Sequence, residues 1–217
     1  MGATSIKSRI LDLLSDVTVD NTAIGQFATD AAKEIINVLP EEMLWVMSTE
    51  VQDANGAGAS VTSSRVLGIR RSNYKAIEID ASDSARATDN NSIYKATDES
   101  PVFYKRGGKV YILPVHANQA IVDLVNYPTI VFNDDMSAAS FVGAPDEIEH
   151  LIILKTAVKA RLAELNEFQD DSEEHGLKMQ DLQLLQQEYA QALSTFLAGS
   201  RAREAAERAE EWNKKKW

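Results

Sequence analysis

Hydrophobic positions recur with helical spacing at both ends of this 217-residue chain and with strand spacing in its middle. Ile6, Ile10, Leu13, Leu14 and Val17 fall three and four apart, with Thr4 or Ser5 placed to cap the helix they predict. A second helix is expected from about Asp20-Asn21-Thr22. It carries Ile24, Phe27, Ala28, Ala31, Ile35 and Val38 on one face, and Pro40 closes it. Pro40 followed by Glu41 and Glu42 marks a fresh helix start, with acids at the positive end of the dipole. Residues 53–64, rich in Gly, Ala and Ser, are expected to be a flexible connection.

The period then shortens to two. Arg65 to Arg71 and Tyr74 to Asp80 are short candidate strands, the second alternating Ile77 and Ile79 with Glu78 and Asp80. Val102 to Leu113 is a hairpin, because Gly107-Gly108 supplies the positive φ angles of a two-residue turn. That turn sets Tyr104 opposite Tyr111 and Val102 opposite Leu113. A last strand runs from Ala120 to Phe132, and Pro128 places at least that stretch on an edge or bulge. The polar segment between Ala81 and Ser100 has the length of a disordered or functional loop.

Helical spacing returns at Pro145, with Asp146, Glu147 and Glu149 in the first turn. Ile148, Leu151, Leu154, Val158, Leu162 and Leu165 form its expected buried stripe. The chain turns near Asp170-Asp171, where Asp171 and Glu174 have capping-box spacing. Leu182, Leu185, Tyr189, Ala192 and Phe196 then repeat like a coiled-coil seam. The pattern specifies an α+β protein: a discontinuous helical bundle (1–52 and 144–198), a central antiparallel β-rich insertion (61–134), and a long C-terminal helix or tail, with 199–217 as a docking arm.

Composition narrows the chemistry. Net charge is −11, which disfavours a surface that grips phosphates through counterion release. The chain has no cysteine, which excludes disulfides, thiolate metal sites and cysteine nucleophiles. The densest apolar run, Leu151–Leu154, falls far short of the ~20 residues that span a bilayer, so no membrane partner is expected. His116, His150 and His175 lack the spacing of a zinc motif, and Asp134-Asp135 and Asp170-Asp171 read as turn residues. Gly107-Gly108-Lys109 is not a phosphate loop, since Val110 follows the lysine. No catalytic residue, cofactor or metal is expected.

Two clusters are candidate partner-binding residues. Lys105, Arg106 and Lys109 put three cations at the hairpin tip. They are either solvated charges that deter edge-to-edge pairing or a contact for an acidic partner or passing nucleic acid. Trp212, Lys214, Lys215, Lys216 and Trp217 combine aromatics with cations on an otherwise polar tail. They are either a frayed helix end whose lysines complement the dipole or an anchor that orders on docking.

The order of parts carries a resemblance. Lys33 to Pro40 ends the first helices; Pro101 to Tyr104 and Val110 to Pro114 form the hairpin; Asn126-Tyr127-Pro128 follows, then Ala144 to Ala160. Over most of residues 17–197 the chain resembles the head-to-tail connector (neck, or adaptor) proteins of tailed bacteriophages. The resemblance implies a non-enzymatic virion protein, made in the host cytoplasm and placed at the head–tail junction. It implies a helical bundle assembling with itself into a ring, usually a dodecamer, that extends the DNA channel without binding DNA tightly. The implied partners are the portal protein, reached by C-terminal segments, and the next neck or tail protein. Three other readings of the residues stand beside it: another neck or tail part (stopper, tail terminator, baseplate element), a helical adaptor unrelated to phage that dimerises through Leu182–Phe196, or, disfavoured by the missing motifs, an enzyme whose acids converge from distant positions.

Overall fold

The computed structural model describes residues 6–14, 20–53, 56–115, 120–130, 146–167 and 172–214. The side chains of 6, 7, 167, 172, 173 and 200–214 are not among those described. Thr4, Ser5, Val17, Phe132, the pairs Asp134-Asp135 and Asp170-Asp171, and Pro145 lie outside the described residues. The fold is mixed α+β, with six α-helices and two four-stranded sheets among the described residues and a long helix toward the C-terminus. The chain divides into two compact units, residues 1–39 with 128–217 and residues 40–127. The division falls at Leu39 and Pro40, so residues 40–52, expected with the helices, group with the strands.

In the first unit, α1 (Ile6–Leu13) and α2 (Asn21–Val38) come from one arm of the chain, and α5 (Asp146–Glu167) and α6 (Ser172–Lys214) from the other. The Asp20 side chain accepts from Thr22 N–H at 3.2 Å and caps α2. At the other end Leu39 N–H still reaches the Ile35 carbonyl before Pro40 stops the ladder. Helix α5 packs against α1, α2 and α6. The single stripe expected for it is therefore too narrow. Ile152, Ile153, Thr156, Ala157, Ala160, Arg161 and Glu164 are buried along with Ile148, Leu151, Leu154, Val158 and Leu165. Leu162, expected inside, is 48% exposed. Ala28, Ala31 and Ala32 of α2 and Ala157 and Ala160 of α5 are wholly buried, and short side chains of this kind let helix backbones approach closely.

On α6, Leu182 and Leu185 are buried and Tyr189, Ala192 and Phe196 half-buried. This is the coiled-coil-like stripe, and it faces α5 of its own chain: Lys155 lies over the Tyr189 ring and Lys178 bonds Glu164. The seam is thus used within the chain.

The second unit starts with α3 (Glu41–Leu44) and a 3₁₀ turn at Trp45–Met47. One sheet runs β1 (Thr49–Asp53), β8 (Ala120–Asn126), β3 (Ser64–Arg71), β4 (Tyr74–Lys75). The other runs β2 (Ala59–Ser60), β7 (Lys109–Leu113), β6 (Val102–Arg106), β5 (Ile77–Glu78). Ile69, Val122 and Leu124 from the first sheet meet Phe103, Val110 and Ile112 from the second in one core. β8 ends at Asn126, before Pro128, and lies between β1 and β3, a central position and not an edge one.

The hairpin forms in the expected register, Val102 opposite Leu113 and Tyr104 opposite Tyr111, with the tyrosine rings stacked at 5.1 Å. Tyr74 to Asp80 is not one strand. Its first pair of residues joins β3, its second joins β6, and the β5–β6 pairing is parallel, a small departure from the antiparallel insertion expected. Ile77 is accordingly exposed. Residues 53–64, expected to be a loose connection, hold β2 and an anchor. The buried Asp53 carboxylate accepts from Gly58 N–H at 2.9 Å and Ile112 N–H at 3.2 Å. The polar segment 81–100 is also ordered, with a 3₁₀ turn at Ala81–Asp83 and α4 (Ser84–Thr88). Ala87 and Ala96 close over Leu113, packed with Val102 and Tyr104 on the hairpin's outer face.

Candidate functional site

The hairpin tip is built by Gly107 and Gly108 at φ 59° and 73°. The Gly108 carbonyl accepts from Val61 N–H at 3.0 Å and from the Thr62 hydroxyl at 3.3 Å, which fastens the tip to the chain beside β2. The three cations expected there do not act as one patch. Lys105 pairs with Glu78 at 3.1 Å and lies over the Phe103 ring. Lys109 donates to the Ala57 carbonyl at 3.2 Å. Arg106, opposite Lys109 in the ladder, is exposed, and neither it nor Lys109 has an ion-pair partner among the described residues. Two of the three charges are therefore engaged locally, Lys105 because β5 brings Glu78 alongside β6 and Lys109 by the Ala57 carbonyl.

The second expected cluster lies at the far end of α6, which runs on through Gly199 to Lys214. The backbone of Trp212 and Lys214 is helical. Lys215, Lys216 and Trp217 lie outside the described residues, as does His116. His150 and His175 are half-buried helix residues.

Sequence reasoning missed a groove between the start of α5 and the middle of α6. Glu147, His150 and Leu151 form one wall, and Glu188, Gln191, Ala192, Thr195 and Phe196 the other. Its floor is apolar, with Leu151 buried and Phe196 half-buried; Glu147 and Glu188 stand exposed at its rim. The signal was Ala192: a small residue in a stripe of leucines and aromatics leaves the two helices incompletely filled there.

Charge around the groove is fixed by neighbouring pairs. Glu149 binds Arg9 of α1. Glu34 of α2 receives Lys159 at 2.6 Å and Lys155 at 3.3 Å. Partial burial pushes the Glu34 carboxyl up, but hydrogen bonds from Lys159 and Lys155, with their charges, hold it below the usual glutamate range. Burial, then the Glu34 charge, pushes the Tyr189 hydroxyl above its ordinary value.

The β unit has a depression of similar size, lined by Trp45, Leu67, Gly68, Arg70 and Asp123 among others. A β-bulge between Val66 and Gly68 opens it, and a Cβ at Gly68 would stand 3.3 Å from the Trp45 ring and 3.4 Å from Asp123 Oδ2. Arg70 spans it, paired with Glu50 and, at 3.3 Å, with buried Asp123. The single cation is thus shared between two carboxylates. Among the described residues no group of three or more His, Asp or Glu is placed to hold a metal ion, and no helix is long and apolar enough to cross a membrane. A scan against protein-family models found no match to this chain, and a search of the curated proteins found none.

Proposed function

We propose that this chain is a structural, non-enzymatic virion protein of the head-to-tail connector kind. It would assemble with itself into a ring, usually of twelve copies in the family it resembles, between the portal and the next neck or tail protein. The ring would extend the DNA channel. The observation that carries this reading is the mismatch between α6 and its partner. With 43 residues α6 is about 65 Å long, while the 22 residues of α5 cover about 33 Å. Helices in proteins gain most of their stability from packing, so a helix that outruns its partner by that much is suited to packing on another subunit. Leu177 and Leu184, one heptad apart on α6, are 66% and 64% exposed and add apolar area to the same requirement. A net charge of −11 suits a channel past which DNA slides without static phosphate contacts.

Native mass spectrometry with electron microscopy of the purified chain tests the reading. The expected result is a closed ring of one stoichiometry that captures portal protein. A chain that stays monomeric or dimeric at every concentration, with and without portal, would overturn it.

A further inference from the structure

We infer that the α5–α6 groove is the seat for Trp212–Trp217 of a second copy of this chain. The groove offers an apolar floor, Leu151, Ala192 and Phe196, between two exposed carboxylates, Glu147 and Glu188. The segment Trp212-Asn213-Lys214-Lys215-Lys216-Trp217 has the complementary chemistry: two aromatics to fill an incompletely packed cleft and three cations to meet its rim. The positive end of the α5 dipole amounts to about half a charge. It is outweighed by Asp146, Glu147 and Glu149 in the first turn.

Geometry makes the contact intermolecular. Helix α6 is continuous from Ser172 to Lys214. Trp212 therefore stands about 24 Å beyond Phe196 along one axis. The three residues after Lys214 span at most about 10 Å, so they cannot return to the groove on their own helix. A surface on one copy that takes a different surface of the next is a head-to-tail contact, and such contacts close into rings or run on as filaments. The inference deepens the ring proposed above and rests on that reading.

Because the chain has no cysteine, single thiols report the contact cleanly. Full-length Thr195→Cys and Lys215→Cys chains, mixed and oxidised, should form the mixed disulfide at least roughly tenfold faster than Ala190→Cys with Lys215→Cys, since docking raises the effective concentration. Position 190 is exposed on the opposite side of α6. Glu147→Lys with Glu188→Lys in the Thr195→Cys chain should abolish the preference. Lys214→Glu with Lys216→Glu in the Lys215→Cys chain should restore it, which a folding defect could not do. Equal rates at positions 195 and 190, or closure within single chains carrying both Thr195→Cys and Lys215→Cys, would overturn the inference. Rings that form without the preference would keep the connector reading and discard this contact. The preference without rings would do the reverse.

Discussion

Lys178 of α6 donates to Glu164 of α5 at 2.8 Å where Glu164 has no exposed surface at all. Arg161 reaches the other carboxylate oxygen at 2.8 Å, and Glu174 and Asp181 approach the two cations from the rim at 3.0 and 3.6 Å. The network sits where the α5–α6 hairpin begins, and it supplies what the apolar stripe lacks. Leucines spaced by three and four tolerate a slip of one helix along the other, whereas a buried carboxylate between two fixed cations does not.

Removing one partner should therefore be costly. Glu164→Gln leaves Arg161 and Lys178 buried beside a neutral amide, and the expected loss is on the order of 3–5 kcal/mol in urea unfolding. A double-mutant cycle with Lys178→Met should return a coupling of about 1 kcal/mol or more. Additive single effects would assign the residues to independent roles.

The same pair sets the alkaline limit. The hydrogen bond that Lys178 donates to Glu164 lifts its pKa above the ordinary 10.5, with a smaller contribution from Glu174. A cation whose folded pKa is raised contributes fully below its unfolded pKa and loses that contribution as pH climbs through the folded one. The parent should lose stability above about pH 10 by this route, and Lys178→Met should show a flatter alkaline limb.

Glu34 works in the opposite direction. Its carboxyl is held below 4.5 in the folded state, so its contribution is present above the ordinary carboxylate value and disappears as pH falls through the depressed one. Glu34 is about half exposed, so solvent screening keeps the effect small. Melting temperatures of Glu34→Gln and parent should differ near neutrality and converge in acid.

Gly199 lies inside α6 with open space where a Cβ would go. Gly199→Ala should stabilise the helix locally by up to about 1 kcal/mol, since glycine pays backbone entropy that alanine does not. Slower amide hydrogen exchange on both sides of position 199 is the expected readout. Unchanged exchange would mean that the helix is interrupted there in solution.

Leu154 is wholly buried on α5. Leu154→Asp puts an unpaired carboxylate into the helical core, a change worth several kcal/mol against a total of about 5–15 kcal/mol. Loss of the cooperative melt by circular dichroism is expected, and an unaltered melt would place that face in water.

What the sequence made legible was whatever local chemistry decides. Gly107-Gly108 permits one turn, so the pairing of Tyr104 with Tyr111 followed from it; Asp20 and Pro40 bracket α2 for reasons contained in a few residues. What stayed hidden depends on partners distant in the chain. β1 pairs with β8, with Thr49 opposite Leu124, and of its five residues only Asp53 is buried, so the strand shows no apolar alternation of its own. Helix α5 is surrounded on three sides, which erases the stripe its sequence suggested. The groove was missed because its cause is the small size of Ala192, which periodicity counts as one more apolar position.

Ala76 stands between β4 and β5, and its N–H still bonds the Ile69 carbonyl of β3 at 2.8 Å. On one side of it the chain hydrogen-bonds to the first sheet, on the other to the second. The two layers of the sandwich are in this way stitched by continuous backbone as well as by their shared apolar faces. A pull that drew one sheet sideways over the other would load the peptide groups at Ala76 before the core had parted, so under tension the β unit should give way as one body and not shed a layer.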